Sequence, residues 1–437
     1  MTKFKIENIS TEKLIPYSKA LRNHSKDKIT KLSKLISEFG FLTPILVDSE
    51  KQEIIAGEAR LLAAKQLGSK DIPTIQVAHL TPAQIKAFRI ADNKISEGSS
   101  WNTEALKLEF LDLQELGFDL SLTVFELPEI EMLILDDEQN FSEEESIPIP
   151  ASTTYLRLGD IFLVGRHTIM CGDSRDSLLI SNNTDEKLVD IVVSDPPYNV
   201  KINGHVLANE SSHEEFAMAS GEMSTAEFTD FLTEWFQSSF DVSKEGSTHY
   251  HFMDHHHLKE MLDAGEVVYD KRLNICIWSK TNAGMGSFYR SQHEMCCVFK
   301  KGTESHTNNI QLGKFGRNRS NIWTYPGMNT FSGERDELLA SHPTVKNTEM
   351  IADILLDASN PGELVLDGFL GSGTTLIAAK RTNRICIGVE IEPKYIDVAI
   401  KRFQSISDEP VTHKETGLTY DELISTRQTE KMEDGHE

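Results

Sequence analysis

Residues 366–375 read LDGFLGSGTT. Gly368, Gly373 and Thr375 have the spacing of a phosphate-binding loop, G-x-x-x-x-G-K-[ST], but Thr374 stands where the lysine belongs. That lysine meets the β and γ phosphates of a bound triphosphate, and threonine cannot replace it. A glycine-rich turn between strand and helix has a second use. It lets a small ligand approach the backbone closely, beside the positive end of a helix. Here ELVLD reads as the strand and TTLIAAKRT as the helix. A second strand, ICIGVEIEP, follows and ends near Glu390. Glu390 lies about twenty residues beyond the loop, where a carboxylate at the tip of a second strand bonds ribose hydroxyls.

Strand, glycine loop, helix, strand and acid make a nucleoside-binding unit. The stretch supplies no lysine for a phosphate. That favours a phosphate-free nucleoside, of which S-adenosylmethionine is the commonest. Upstream, VSDPPYN (193–199) follows the apolar run LVDIVVS. Two successive prolines cannot continue a sheet ladder, so the chain leaves the strand at once. Asp195, Pro196, Pro197 and Tyr198 thus project a carboxylate, a carbonyl and a ring at the sheet's C-terminal end, where α/β sites lie. This suits methylation of an exocyclic base amine, whose lone pair is delocalised into its ring. The Asp195 carboxylate and Pro196 carbonyl can accept from both N–H groups and favour a tetrahedral nitrogen. Tyr198 can stack on a base flipped out of the duplex.

The two stretches together resemble the site-specific DNA amino-methyltransferases, over most of 154–406. The resemblance implies catalysis by Asp-Pro-Pro-Tyr and cofactor binding by the F-x-G-x-G loop, here Phe369, Gly371, Ser372 and Gly373, flanked by Asp367 and Thr374. The order, catalytic motif first and cofactor loop last, resembles the β class. HPTVKN (342–347) is similar to a segment of that class ahead of the cofactor loop, and adds Thr344 and Lys346 to the expected cofactor site. MCGDS (170–174) is similar to the segment whose acid, here Asp173, faces the cofactor adenine. Gly368 and Asn347 depart from the family, which often has proline at both places.

The first hundred residues resemble the ParB/sulfiredoxin-like domain, carried by IIAGEARLLAAKQLG (54–68). Gly57, Glu58 and Arg60 match that family's G-E-R-R box, which binds a nucleotide phosphate at a helix start. Ala59 replaces its first arginine, which leaves nucleotide binding and hydrolysis open. A DNA-positioning module and a degenerate structural domain both fit.

The expected fold class is α/β: a Rossmann-like S-adenosylmethionine-dependent methyltransferase fold with permuted motif order, plus a small α/β ParB-like N-terminal domain. The expected boundaries are a ParB-like domain at 1–100, an acidic helical segment at 101–142, a linker at 143–153 and the methyltransferase domain at 154–406. A target-recognition region is expected at 281–335 and a polar acidic tail at 407–437. In the recognition region, Arg290, Lys314, Arg317 and Arg319 are interleaved with aromatic residues and are the expected DNA contacts. The stretch 199–224 is long, polar and aperiodic, and reads as a loop that orders over the target base.

The net charge of -24 argues against DNA coating by the whole surface and for local basic patches. Residues 1–34 carry nine Lys/Arg against three acids, whereas 104–146 carry fourteen acids against Lys107. The five cysteines are scattered without C-x-x-C pairs, which predicts reduced thiols and no zinc ribbon. His255, His256 and His257 are adjacent, so they cannot all face one ion from a helix, and no metal site is expected. No apolar run is long enough to span a membrane, and no secretory signal opens the chain. A cytoplasmic setting is expected, nucleoid-associated through DNA.

The expected reaction is therefore methyl transfer from S-adenosylmethionine to the N6 amine of adenine in double-stranded DNA. The resemblance favours adenine, because cytosine-N4 members often carry Ser in place of Asp195; cytosine N4 is the alternative. A ParB-type DNA-binding adaptor with a non-catalytic methyltransferase domain is the reading from another class. A homodimer and a cognate restriction nuclease stay open as partners.

Overall fold

The computed structural model describes residues 5–18, 24–95, 101–135, 147–148, 150, 153–200, 221–281, 289–311, 319–327 and 345–434. The chain divides into two compact units, Met1–Ile134 and Leu135–Glu437.

The first unit holds β1 (Ile6–Ser10), α1 (Lys26–Phe39), β2 (Ile45–Asp48), β3 (Ile54–Ala56), α2 (Glu58–Gln66), β4 (Asp71–Val77), α3 (Pro82–Ile95), α4 (Thr103–Glu115) and α5 (Leu127–Leu135). Its sheet has the order β1-β4-β2-β3. Helix α1 starts where the Ser25 side chain accepts from Lys28 N, and stops at Gly40, whose φ of 77° is left-handed. Helix α3 starts at Pro82, as its first-turn preference predicts. Thr81 and Gln84 cap it reciprocally: Thr81 N donates to Gln84 Oε1, and Gln84 N donates to Thr81 Oγ1. Ile45, Val47, Ile54, Leu61 and Ile72 form its main core.

The second unit continues with β5 (Ile161–Val164), β6 (His167–Cys171), α6 (Ser177–Ser181), β7 (Val189–Ser194), α7 (Thr225–Asp241), β8 (Ser243–Met253), α8 (Leu258–Val268), β9 (Lys271–Lys280), β10 (His293–Lys300) and β11 (Ile322–Tyr325). Then come α9 (Thr348–Ala358), β12 (Leu364–Asp367), α10 (Thr374–Arg381), β13 (Ile385–Glu390), α11 (Pro393–Ile406), β14 (Val411–His413) and α12 (Tyr420–Asp434). One ten-stranded sheet has the order β11-β9-β10-β8-β7-β12-β13-β6-β5-β14. Within it, β8, β7, β12, β13 and β6 are parallel neighbours. Both faces of these strands are covered, which explains their unbroken apolar runs. Along β7, Ile191 and Val193 enter one core and Val192 the other, as the period-two pleat requires. Each such fully buried side chain stabilises the fold by about 1.5–3 kcal/mol.

Two expected boundaries change. Of the tail expected at 407–437, the described residues 407–434 are not a loose end: β14 pairs antiparallel with β5, and Tyr420 and Leu423 of α12 are buried. Arg427 closes the contact through a two-pronged ion pair with Asp160. So few buried residues anchor α12 that its sequence reads as polar. The expected recognition region at 281–335 contains β10, which lies between β8 and β9 in the sheet and is mostly buried. That strand belongs to the core. Of the linker, residues 147–148, 150 and 153 are described, and residues 201–220 of the expected closing loop lie outside the described residues. Among the described residues, no helix is long and apolar enough to cross a membrane.

Candidate active site

Strands β7, β12, β13 and β6 are consecutive and parallel, so their C-terminal ends share one edge of the sheet. Asp195 follows β7, the glycine loop follows β12, Glu390 ends β13 and Asp173 follows β6. The sheet thereby gathers motifs that lie up to 217 residues apart in sequence.

The glycine loop is held open by its own acids. Gly371 and Gly373 have φ of 51° and 82°, a region where a side chain is strained. Gly373 is also the N-cap of α10, and a Cβ on it would lie 3.0 Å from Ala399 Cβ. Asp367 braces the turn: Phe369 N donates to its Oδ1 at 3.0 Å, and Thr375 Oγ1 to its Oδ2 at 2.6 Å. Glu390 Oε2 accepts from Gly371 N at 2.9 Å and its Oε1 from Glu392 N at 2.9 Å. Burial pushes both carboxyls up to about 7, against the hydrogen bonds that each accepts. The buried Arg402 guanidinium ties Ser372 O and Thr374 Oγ1 of this loop to Thr348 Oγ1 at the start of α9. Asp173 is gripped by Arg175, whose Nη2 donates to Oδ2 at 2.7 Å. Burial would raise that carboxyl, but the Arg175 bonds hold it below its ordinary range.

At the tip of β7 the Asp195 carboxylate accepts from Tyr198 Oη at 2.6 Å and from Lys346 Nζ at 2.5 Å. Glu294, at the start of β10, joins the same group. Its Oε2 lies 3.1 Å from Tyr198 Oη and 3.0 Å from Lys346 Nζ, while Lys280 Nζ bonds its Oε1. Phe252, Trp278 and Tyr198 rings surround Lys346 Nζ at 5.3–5.9 Å. Burial raises the Asp195 carboxyl although Lys346 opposes it. Burial would also raise Glu294, but Lys346 and Lys280 hold it down to about 2. The site thus holds one anion that stays ionised and one that is more basic than an ordinary aspartate.

Under this cluster runs a buried polar chain. Ser194 Oγ is 2.6 Å from His251 Nδ1 and accepts from Trp235 Nε1 at 3.3 Å. His251 Nε2 reaches Tyr269 Oη at 2.9 Å, which reaches His249 Nδ1 at 3.0 Å. Burial keeps both imidazoles neutral, with His251 pushed down to about 3.

The candidate site thus sets an acid and an aromatic ring at the tip of β7, one strand from the glycine loop after β12. The DNA methylase family matches residues 189–401. The chain carries a DNA methylase domain. The ParB N-terminal domain matches residues 1–93, and the ParB-methyltransferase HTH domain residues 104–155. Type II methyltransferase M.HpaI of Haemophilus parainfluenzae is 25% identical over 251 residues, 54% of this chain and 74% of that protein. M.HinfI of Haemophilus influenzae is 27% identical over 260 residues, 56% of this chain and 70% of that protein. Among solved structures, the cytosine-N4-specific PvuII DNA methyltransferase shares 15% identity over 60% of this chain and 92% of its own, with a TM-score of 0.43.

S-adenosylmethionine is the methyl donor of this methylase family, and the residues of the loop fit it. Each Glu390 oxygen takes one backbone donor, which leaves a lone pair on each for a ribose hydroxyl. The HTH match, 104–155, covers all but the first three residues of the acidic helical segment expected at 101–142 and runs on through the expected linker. In the ParB-like box, Gly57 has a φ of 104° and caps α2, whose first residue is Glu58. Arg60 Nη1 lies 3.3 Å from the place of a Cβ on Gly57.

The methylase domain corrects several sequence expectations. Arg319 is not placed as a DNA contact. Its guanidinium is paired with Asp353 and Asp357 of α9 and bonds Tyr325 Oη. Lys346, expected at the cofactor, lies between Asp195 and Glu294. Arg290 is exposed, whereas Lys314, Arg317 and Thr344 lie outside the described residues. Asp254, His255 and His256 bring one donor atom each within 4.8 Å of one another, because they form a turn before α8 rather than a helix face. His256 Nδ1 is bonded to Asp254 there. Glu294, Lys280 and Arg402 escaped the sequence reading. The one available signal was an acid at the head of the apolar run MCCVF.

Proposed function

We propose that this methylase transfers a methyl group to the exocyclic N6 amine of adenine at a specific site in duplex DNA. The observation that carries the reading is the Asp195–Tyr198 pair at the tip of β7, one strand from the glycine loop. When bound, S-adenosylmethionine supplies a sulfonium methyl group. Gly371, Ser372 and Gly373 would hold it through backbone, Glu390 through its ribose and Asp173 beside its adenine. The chain's own residues do the rest. Asp195 accepts from the target amine and draws its nitrogen toward tetrahedral geometry. The Pro196 carbonyl is the second acceptor, and the Tyr198 ring stacks on the extruded base. Aspartate rather than serine at position 195 supports adenine.

The ParB and HTH segments hold the duplex, through the basic N-terminal stretch, while Arg290 and the neighbouring recognition segments reach base edges. The enzyme works in the cytoplasm on nucleoid DNA, with a homodimer and a companion nuclease as candidate partners. The test is methyl incorporation from labelled S-adenosylmethionine into unmodified DNA. Asp195→Ala should lower the rate on the order of a hundredfold or more and leave cofactor binding intact. Cofactor binding without transfer in the parent protein would instead support the DNA-binding adaptor.

A further inference from the structure

Both oxygens of the Asp195 carboxylate already accept a hydrogen bond. Tyr198 Oη donates to Oδ1 and Lys346 Nζ to Oδ2. Each oxygen keeps one further lone pair, so a base amine entering the site must share Asp195 with these donors or displace one of them. A buried ammonium or hydroxyl left without an acceptor is disfavoured, the charged group most of all. A displaced donor therefore needs somewhere to go.

Glu294 is that place. Its Oε2 already stands 3.1 Å from Tyr198 Oη and 3.0 Å from Lys346 Nζ, both longer than the bonds these donors make to Asp195. One carboxylate oxygen can accept from two donors. Its other oxygen is fixed by Lys280 from β9, the strand paired with β10. We propose that Glu294 is the alternate acceptor that takes over Lys346 and Tyr198 when the target amine claims Asp195. This rests on the reading of Asp195 given above. The exchange needs no backbone movement, because the hydrogen bonds shift between two carboxylates that flank the same two donors. Lys280 and Lys346 favour the ionised form of Glu294, which suits it to accept both donors. It also keeps the Tyr198 hydroxyl anchored while the ring meets the base. Glu294 is thus a positioning residue, acting through Lys346 and Tyr198 rather than on the substrate.

The test compares the full-length parent, Glu294→Gln and Glu294→Asp on a duplex carrying the motif that the parent methylates. Single-turnover methyl transfer is measured with saturating S-adenosylmethionine. The duplex affinity is measured with S-adenosylhomocysteine, for the intact motif and for a duplex abasic at the target position. Glu294→Gln should slow transfer on the order of tenfold or more, with cofactor affinity unchanged. It should weaken binding of the intact duplex but not of the abasic one, where no amine claims Asp195. Glu294→Asp should recover part of the rate. A parental rate in Glu294→Gln overturns the proposal, as does equal weakening on intact and abasic duplexes, which marks a merely structural role. If the parent itself transfers no methyl group, the underlying reading of Asp195 falls with it, a result distinct from a normal Glu294 variant.

Discussion

Gly368 lies against the indole of Trp235: a Cβ built on it would stand 2.4 Å from the ring. Trp235 is fully buried on α7 and donates to Ser194 Oγ, next to Asp195. The indole fills the space that a side chain at this position would need. Gly368→Ala should therefore destabilise the methylase unit by about 1–3 kcal/mol, the range for overpacking. Trp235→Leu should reduce the penalty of the second substitution. Urea titration of the two single variants and the double variant measures this coupling.

The acid at the end of β13 should make cofactor binding depend on pH. Burial raises the Glu390 carboxyl to about 7, and ribose hydroxyls favour its ionised form. Affinity for S-adenosylmethionine should thus rise between pH 6 and pH 8 and then level off. Glu390→Gln should flatten that rise, leaving what the similarly raised Asp367 contributes. Glu390→Ala should cost roughly 1.5–3 kcal/mol of binding, the range for hydrogen bonds to a charged group. Calorimetry at three pH values checks both.

Arg319 should matter for stability and not for sequence choice. Its removal leaves Asp353 and Asp357 facing each other's charge at the β11–α9 contact. Arg319→Ala should cost about 2 kcal/mol or more while the methylated motif stays the same. Arg290→Ala should do the reverse, weakening duplex affinity with little loss of stability. Thermal unfolding and motif-resolved methylation of each variant separate the two roles.

These contrasts show what the sequence could reveal. The placement of Gly371, Gly373 and Asp195 was legible because it depends on local spacing: a left-handed turn, or a proline-terminated strand. Glu390 was legible because strand, helix and strand have a fixed length. Arg319 misled because its aromatic neighbours are adjacent, whereas its acids lie on α9, 34 and 38 residues away. Glu294 and Arg402 act through residues that only the strand order brings together. Helix α12 was hidden because Tyr420, Leu423, the partly buried Ile424 and one ion pair anchor a helix whose sequence is mostly polar.

His251 adds an acid sensitivity of known sign. Its pKa is lowered to about 3 in the folded chain by burial, against about 6.5 unfolded. Above pH 6.5 neither state is charged, and the residue contributes no slope. As the pH falls below 6.5, the unfolded chain takes a proton that the folded chain refuses. Stability therefore falls by about 1.4 kcal/mol per pH unit from this group. His251→Gln should be less stable at pH 7 yet lose about 2 kcal/mol less than the parent between pH 7 and pH 5. Urea midpoints at the two pH values measure the difference; the raised Asp367 and Glu390 act equally in both proteins.

The most direct test of the central claim is nucleoside mass spectrometry of DNA. Unmodified duplex DNA is incubated with the full-length protein and S-adenosylmethionine, digested to nucleosides and resolved. The account predicts N6-methyladenosine in its deoxy form from the parent, and on the order of a hundredfold less or lower from Asp195→Ala. N4-methylcytosine as the product would contradict the assignment of adenine. No methylated base at all, from a protein that binds the cofactor, would contradict the assignment of catalysis to Asp195.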